Sequence, residues 1–418
     1  MGNYTFCGVD AVELAEKYGT PLYVMSEDEI TRRLREIKSC FEGGRADRAT
    51  FFAAKSFLTK DMLRILTREG AGLDVVSEGE LYLAREMAFP PERIAFHGNS
   101  KTELEITRGI EYGVGKFVSD SVEEIELIDA RARLAGVKAH VLIRVAPGVE
   151  GHTHRHISTG GADSKFGLSL SSVTEAISLC GVFKNVSLDG FHFHVGSQCM
   201  DNSAHVEALR VILTMMLKLR DTNGFEARTL DMGGGFGVRY TDNDSPQPIA
   251  EFICGMTECV GKFCKESGMT MPALIVEPGR WVTAEAGITL YTVGSVKRIP
   301  GGRTYIGVDG GFPDNPRPAL YDAKYEAVLA NKFGVPPEET VTIAGKCCES
   351  GDVLIHDIAL PRAARGDIIA VLGTGAYNHT MANNYNKNTI PAIVMIKDGK
   401  PRLSVRRQSF AAMFAGDI

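Results

Sequence analysis

Thr50-Phe51-Phe52-Ala53-Ala54-Lys55-Ser56 is an apolar run that ends on a lysine, and Lys60-Asp61-Met62-Leu63-Arg64-Ile65-Leu66-Thr67-Arg68-Glu69 follows it closely with apolar side chains at helical spacing. A short continuous apolar run ahead of an amphipathic segment reads as a strand buried on both faces with a helix packed over it. The same alternation recurs along the chain. Candidate strands fall at 50–54, 72–76, 94–97, 116–119, 140–145, 187–194, 229–232 and 273–277, with amphipathic segments at 60–69, 77–87, 102–112, 122–135, 171–180, 204–222 and 249–267. Eight strand-helix repeats predict an α/β fold, a parallel (β/α)8 barrel of the TIM type, whose active site lies at the carboxyl ends of the strands. Lys55, His97, Arg144, His194, glycines 233–235 and Glu277 all stand at or just after those ends. Beyond Trp281 the pattern changes to runs at 288–297, 304–309, 339–344 and 367–372 separated by Gly and Pro turns, which predicts a second, all-β domain. The expected domains are therefore a segment 1–26, whose run at 21–25 adds to the β domain, a barrel over 27–280, and the β domain over 281–418.

Composition narrows the function. A chain of 418 residues has room for two or three domains and a large core. Its net charge of -6 leaves no basic footprint for nucleic acid and no polybasic membrane patch, so a small molecule is the expected partner. Met1-Gly2-Asn3-Tyr4-Thr5-Phe6 does not lead into an apolar signal core, no apolar segment is long enough to span a bilayer, and a cytoplasmic location is expected. Phe6 also stands where an N-myristoylation pattern requires Ser or Thr. The nine cysteines are scattered, Cys347 and Cys348 are adjacent, and Cys254, Cys259 and Cys264 match no zinc spacing. Most are expected to be buried thiols rather than a disulfide framework.

The chemistry begins with Lys55. At the end of a buried strand its ammonium form would be disfavoured, which suits an amine that attacks a carbonyl and holds a cofactor covalently. Alone, it reads more readily as a strand-end lysine that snorkels to solvent, and the rest of the chain overturns that reading. In Asp231-Met232-Gly233-Gly234-Gly235-Phe236-Gly237, consecutive glycines let backbone N–H groups turn toward a phosphate, though a plain tight turn has the same sequence. Glu277-Pro278-Gly279-Arg280 adds an acid able to keep a heteroaromatic nitrogen protonated and a guanidinium able to grip a phosphate or carboxylate. Lysine, phosphate cradle and ring acid together specify pyridoxal 5'-phosphate. In His192-Phe193-His194-Val195-Gly196-Ser197-Gln198, alternation puts both histidines on one face, so that an imidazole can lie against a ring while Ser197 reaches the phosphate. A metal pair is the alternative here and in His152-Thr153-His154-Arg155-His156, but neither stretch has the ligand set of a defined site, and no metal is expected.

These stretches resemble, nearly end to end, the barrel-type pyridoxal-phosphate decarboxylases, the family of the diaminopimelate, ornithine and arginine decarboxylases. Further shared stretches are 154–167 ending in Asp163-Ser164-Lys165-Phe166-Gly167, Asn315-Pro316-Arg317-Pro318-Ala319-Leu320-Tyr321, Cys348-Glu349-Ser350-Gly351-Asp352, Gly375-Ala376-Tyr377, and 381–386. The His-Thr-His loop and Cys-Glu-Ser-Gly-Asp point to the diaminopimelate branch, and so to decarboxylation of meso-2,6-diaminopimelate to L-lysine and CO2, the last step of lysine biosynthesis. The resemblance implies that Lys55 carries the cofactor, His194 stacks on its ring, Ser197, Gly234 and Gly235 bind phosphate, and Glu277 of the Glu277-Pro278-Gly279-Arg280 motif faces the ring nitrogen. Arg280, Arg317 and Tyr321 would bind substrate carboxylate, Cys348 would return a proton, Glu349 would recognise the far end of the substrate, and Tyr377 would touch both cofactor and substrate. It further implies a homodimer in which Cys348 and Glu349 complete the neighbouring subunit's site. Ser56-Phe57 and Lys346-Cys347 depart from the family pattern. The alternatives are a decarboxylase of a related diamino acid such as D-ornithine or D-lysine, a racemase, and a cofactor-free binding protein.

Overall fold

The computed structural model describes residues 2–149 and 164–418. The chain divides into two compact units, one formed by Arg33–Gly237 with Pro246–Trp281, the other by Met1–Arg32, Val238–Ser245 and Val282–Ile418.

The first unit is the barrel. Its strands are β1 (Arg48–Ala53), β2 (Gly72–Val75), β3 (Ile94–Phe96), β4 (Lys116–Ser119), β5 (Ala139–Ala146), β6 (Val186–His192), β7 (Thr229–Asp231) and β8 (Ala273–Val276). Each pairs in parallel with the next, and β8 pairs in parallel with β1 to close the ring, as the repeats predict. Phe51, Ala95 and Ile275, from β1, β3 and β8, meet as a buried cluster. Strands β3 and β8 are not neighbours, so this cluster lies inside the ring. Ile275 is on that inward face, and Glu277 follows directly after the end of β8 at Val276.

Between the strands lie α1 (Lys60–Glu69), α2 (Glu78–Glu86), α3 (Glu103–Tyr112), α4 (Val122–Ala135), α5 (Leu170–Cys180), α6 (Ser203–Asn223) and α7 (Ile249–Ser267). Their ends are written locally. Thr59, Ser77, Thr102, Ser121 and Ser169 each accept a backbone N–H from the first turn of the helix they precede, which satisfies a donor left open by the helical pattern.

In the second unit the central strand is β9 (Gly287–Arg298). It is joined by β10 (Thr304–Val308), β11 (Ala327–Leu329), β12 (Glu339–Ala344), β13 (Val353–Leu360), β14 (Ile368–Leu372), β15 (Ala392–Lys397) and β16 (Lys400–Val405). The early strand Leu22–Ser26 lies between β9, to which it is antiparallel, and β15, to which it is parallel. With twelve residues, β9 is long enough to pair with β10 through its second half and with β14 and Leu22–Ser26 through its first. Two apolar clusters hold this unit: one around Tyr291, Ile306, Ile343 and Ile369, the other around Leu22, Val24, Leu290 and Val394. Among the described residues no helix is long and apolar enough to cross a membrane.

Candidate active site

The barrel strands end where the sequence motifs begin. β1 stops at Ala53, and a 3-10 turn, Ala54–Ser56, follows, with the Ser56 hydroxyl donating to the Ala53 carbonyl at 2.8 Å. The turn corrects one expectation: Ala54 and Ser56 are buried, but Lys55 is exposed, because the strand ends before it and the turn carries its side chain out of the packed wall. Lys55 follows the carboxyl end of β1 by two residues, at the mouth of the ring, and its positive charge acts on His194, Asp74 and Glu80.

Two strands away, the glycine run follows β7. Gly233 and Gly235 have φ of +66° and +97°, a region that side chains rarely adopt, and a Cβ on Gly234 would overlap the Glu277 carbonyl oxygen. Gly234 is also clamped by two imidazoles: its N–H donates to His194 Nδ1 at 3.2 Å, and His205 Nε2 lies 2.7 Å from its carbonyl oxygen. Burial pushes His205 down to about 4, so it is neutral and its Nε2–H donates. Burial also lowers His194 well below the ordinary range, with the Lys55 charge adding to the effect. β6 ends at His192, so the alternation expected to align the two histidines stops there, and they do different work. His194 braces the glycine loop, whereas His192 Nε2 lies 3.3 Å from Glu277 Oε2.

Glu277 is buried and flanked on both oxygens, because His97 Nε2 lies 2.6 Å from its Oε1 without the alignment of a hydrogen bond. Two ligands of one tetrahedral zinc would sit about 3.3 Å apart, so the His97–Glu277 separation is a direct contact rather than a shared ion's ligand set. His97 and His192 hold the Glu277 carboxyl well below its ordinary range against the opposing effect of burial, which is the largest influence on it. Pro278 and Gly279 are buried beside it. The buried Arg280 guanidinium donates from Nε at 3.1 Å and Nη2 at 2.9 Å to Ser197 Oγ, which joins two of the anion-binding candidates.

A lysine at the mouth, a glycine turn too tight for any side chain, an arginine-serine pair and a buried, ionised acid match pyridoxal phosphate group by group. The unaligned Glu277 Oε1 supplies the acceptor that a protonated ring nitrogen needs. Fold and site together define a barrel enzyme dependent on pyridoxal phosphate.

Known proteins agree. The family described as "Pyridoxal-dependent decarboxylase, pyridoxal binding domain" matches residues 27–284. The diaminopimelate decarboxylase of Bacillus subtilis is 44% identical over 100% of this chain and 95% of its own, and that of Mycobacterium tuberculosis is 39% identical over 98% and 93%. The crystal structure of diaminopimelate decarboxylase from M. jannaschii in co-complex with L-lysine is similar with a TM-score of 0.93 at 35% identity, over 100% of this chain and 96% of that one. The chain belongs to the diaminopimelate decarboxylases, within the pyridoxal-dependent decarboxylase family.

The remaining candidates lie in the β unit. Arg317 opens the short helix Arg317–Tyr321 and is buried, and its Nη1 donates to Tyr325 Oη at 2.6 Å and Tyr240 Oη at 3.3 Å. Its guanidinium carbon is 5.9 Å from the centre of the Tyr377 ring, and Tyr377 has a φ of +62°, a strained value for a tyrosine. Tyr321 is half-buried; Cys348 and Glu349 are exposed. The Cys348 N–H donates to Asn386 Oδ1 at 3.0 Å, and Glu349 Oε1 accepts the Gly351 N–H at 3.3 Å.

The expectation that most cysteines are buried is not met. Only Cys180, Cys199 and Cys264 are buried; Cys40, Cys259 and Cys347 are half-buried, and Cys7, Cys254 and Cys348 are exposed. The loop 152–156 and Asp163 lie outside the described residues. Sequence reasoning missed Asp74 and Asp231, both buried beside the ring acid, and the tyrosines around Arg317. A lone acid inside an apolar strand, as in Gly72-Leu73-Asp74-Val75, is the signal that would have found the first.

Proposed function

We propose that the chain decarboxylates meso-2,6-diaminopimelate to L-lysine and CO2, working in the cytoplasm as a homodimer with shared sites. The observation that carries the substrate is Arg317. A buried guanidinium bonded to tyrosine hydroxyls, with no carboxylate partner among the described residues, is suited to a carboxylate brought by the substrate.

Pyridoxal phosphate, when bound, supplies the sink for the electron pair left as the carbon–carbon bond to CO2 breaks. Lys55 holds it covalently through its amine. The Gly235 amide, with Ser197 and Arg280, would take its phosphate, while Gly234, expected to bind phosphate too, has its N–H bonded to His194 and shapes the turn instead, and His194 would lie against the ring. Glu277 stays ionised at the ring nitrogen because His97 and His192 flank it. Arg317 and Tyr321 hold substrate carboxylate, with Arg280 beside the phosphate and Tyr377 touching both molecules. Glu349 takes the distal ammonium, and Cys348 delivers a proton from its thiol to the carbon that lost CO2.

The test is CO2 release from meso-diaminopimelate against D-lysine, D-ornithine and L-ornithine. Turnover is expected only with the substrate that carries a distal carboxylate. Arg317→Ala and Glu349→Ala should each cost about tenfold or more in kcat/KM while leaving the cofactor bound. Equal efficiency with D-lysine or D-ornithine would make the chain a decarboxylase of simple diamino acids.

A further inference from the structure

We propose that Asp231 is a positioning residue held as a neutral carboxylic acid, which donates its proton to Glu277 and, with His97 and His192, keeps Glu277 ionised toward the cofactor ring. The proposal rests on the pyridoxal-phosphate reading of the site and concerns a group that no motif assigns.

The geometry is that of a carboxyl pair in a dry place. Asp231 ends β7 and is fully buried. Its Oδ1 accepts the Gly233 N–H at 3.0 Å, whereas Oδ2 is buried with no donor directed at it. An ionised carboxylate would leave that oxygen's charge without compensation in low dielectric, which is unfavourable. Asp231 pairs with Ile275 across β7 and β8, and the Glu277 N–H donates to the Gly233 carbonyl at 2.8 Å, so the two acids stand at the ends of adjacent strands, where each feels the other's charge and both are not readily ionised together.

The surroundings decide which of the two keeps the proton. Glu277 has an imidazole at each oxygen, His97 at 2.6 Å and His192 at 3.3 Å, while Asp231 has a single backbone amide. The negative form belongs to Glu277 and the proton to Asp231. The other charged groups facing this cluster preserve that order. Arg144 and Lys55 stand on the positive side, and Asp74, 3.7 Å from His97 Nε2, is itself pushed up by burial. Burial and the Glu277 charge push Asp231 well above its ordinary range. His192 is pushed down to about 3, chiefly by burial, and meets Glu277 as a neutral N–H donor.

The arrangement has a purpose. A ring acid that took up a proton would lose its grip on the ring nitrogen. Asp231 supplies a hydrogen bond to Glu277 without supplying a competing charge.

Two substitutions separate a neutral donor from an anion. Asp231→Asn keeps a donor of the same shape and never carries charge, whereas Asp231→Ala removes the donor. Apoprotein of each variant, checked for fold by circular dichroism, is titrated with pyridoxal phosphate by fluorescence. Asp231→Asn should bind close to wild type, and Asp231→Ala should bind about tenfold more weakly. Independently, the infrared spectrum of wild-type protein above neutral pH should contain a protonated-carboxyl stretch that Asp231→Asn lacks. If Asp231→Ala fails to fold, the Asn variant and the infrared band decide alone. Binding in Asp231→Asn as weak as in Asp231→Ala, or the absence of a band assignable to Asp231, overturns the proposal. Wild-type apoprotein that takes up no pyridoxal phosphate at all would instead overturn the cofactor reading.

Discussion

Single residues in this protein gain their chemistry from what faces them. Asp314, in the β unit, illustrates it away from the site. It is buried, accepts the Tyr291 hydroxyl at one oxygen and the Gly311 N–H at 3.0 Å at the other, and burial pushes it up to about 7. A carboxyl raised from about 3.9 in the unfolded chain binds its proton more tightly when folded. The stability this provides is full below about pH 4 and is lost as pH rises through about 7. Asp314→Asn should remove that loss, so that thermal unfolding midpoints of variant and wild type converge in acid and separate in the variant's favour toward neutral pH. Parallel profiles would show that Asp314 is ionised in the fold. The motif residues Lys55 and Glu277 were legible because chain order alone places them at strand ends. The raised proton affinity of Asp314 and the neutrality of Asp231 were not, since each depends on partners brought from elsewhere in the chain.

Elements are governed by local rules, and these were the most legible part. Helix α3 carries a complete capping box. Thr102 Oγ1 accepts the Glu105 N–H at 3.2 Å, and Glu105 Oε2 accepts the Thr102 N–H at 2.9 Å. The other Glu105 oxygen accepts the Glu78 N–H at 3.2 Å, which ties in the start of α2. Thr102→Ala should therefore cost about 1 kcal/mol, read as a lower denaturation midpoint at unchanged slope, while Thr102→Ser should cost little. No shift in the Ala variant would mean that water serves those amides equally well. Strand ends were overestimated at 232, 277 and 193–194, because buried residues of the βα loops continue the strands' composition after pairing has stopped. Several strands of the β unit escaped notice for separate reasons: β11 has three residues, β13 exposes His356 and Asp357 in its middle, and the apolar β15 reads equally as a buried helix by periodicity.

At the scale of the whole molecule the open matter is assembly. Under the proposed homodimer, Lys55→Ala and Cys348→Ala chains are each inactive, but a mixed dimer holds one site with both residues intact. Random exchange makes half the dimers mixed, so activity should return to about a quarter of wild type. Demonstrated subunit exchange without recovery would place both groups in one protomer's site. The 238–245 segment shows what chain order conceals at this scale. It falls between β7 and α7 in sequence yet belongs to the β unit, where Tyr240 helps cage Arg317.

The sequence by itself determined the eight-fold alternation, the caps that start the helices, the turns that only glycine permits, and the order in which lysine, histidine, glycine run and acid arrive at the strand ends. Each of these follows from side-chain shape and spacing within a few residues, which a linear reading can see. Tertiary structure alone decided that Lys55 stands exposed on a turn, that His97 and His192 flank both oxygens of Glu277, and that Arg317 sits among tyrosines. Burial and charge pairing act across the ring and between distant strands, through distances that exist only once the chain has closed on itself.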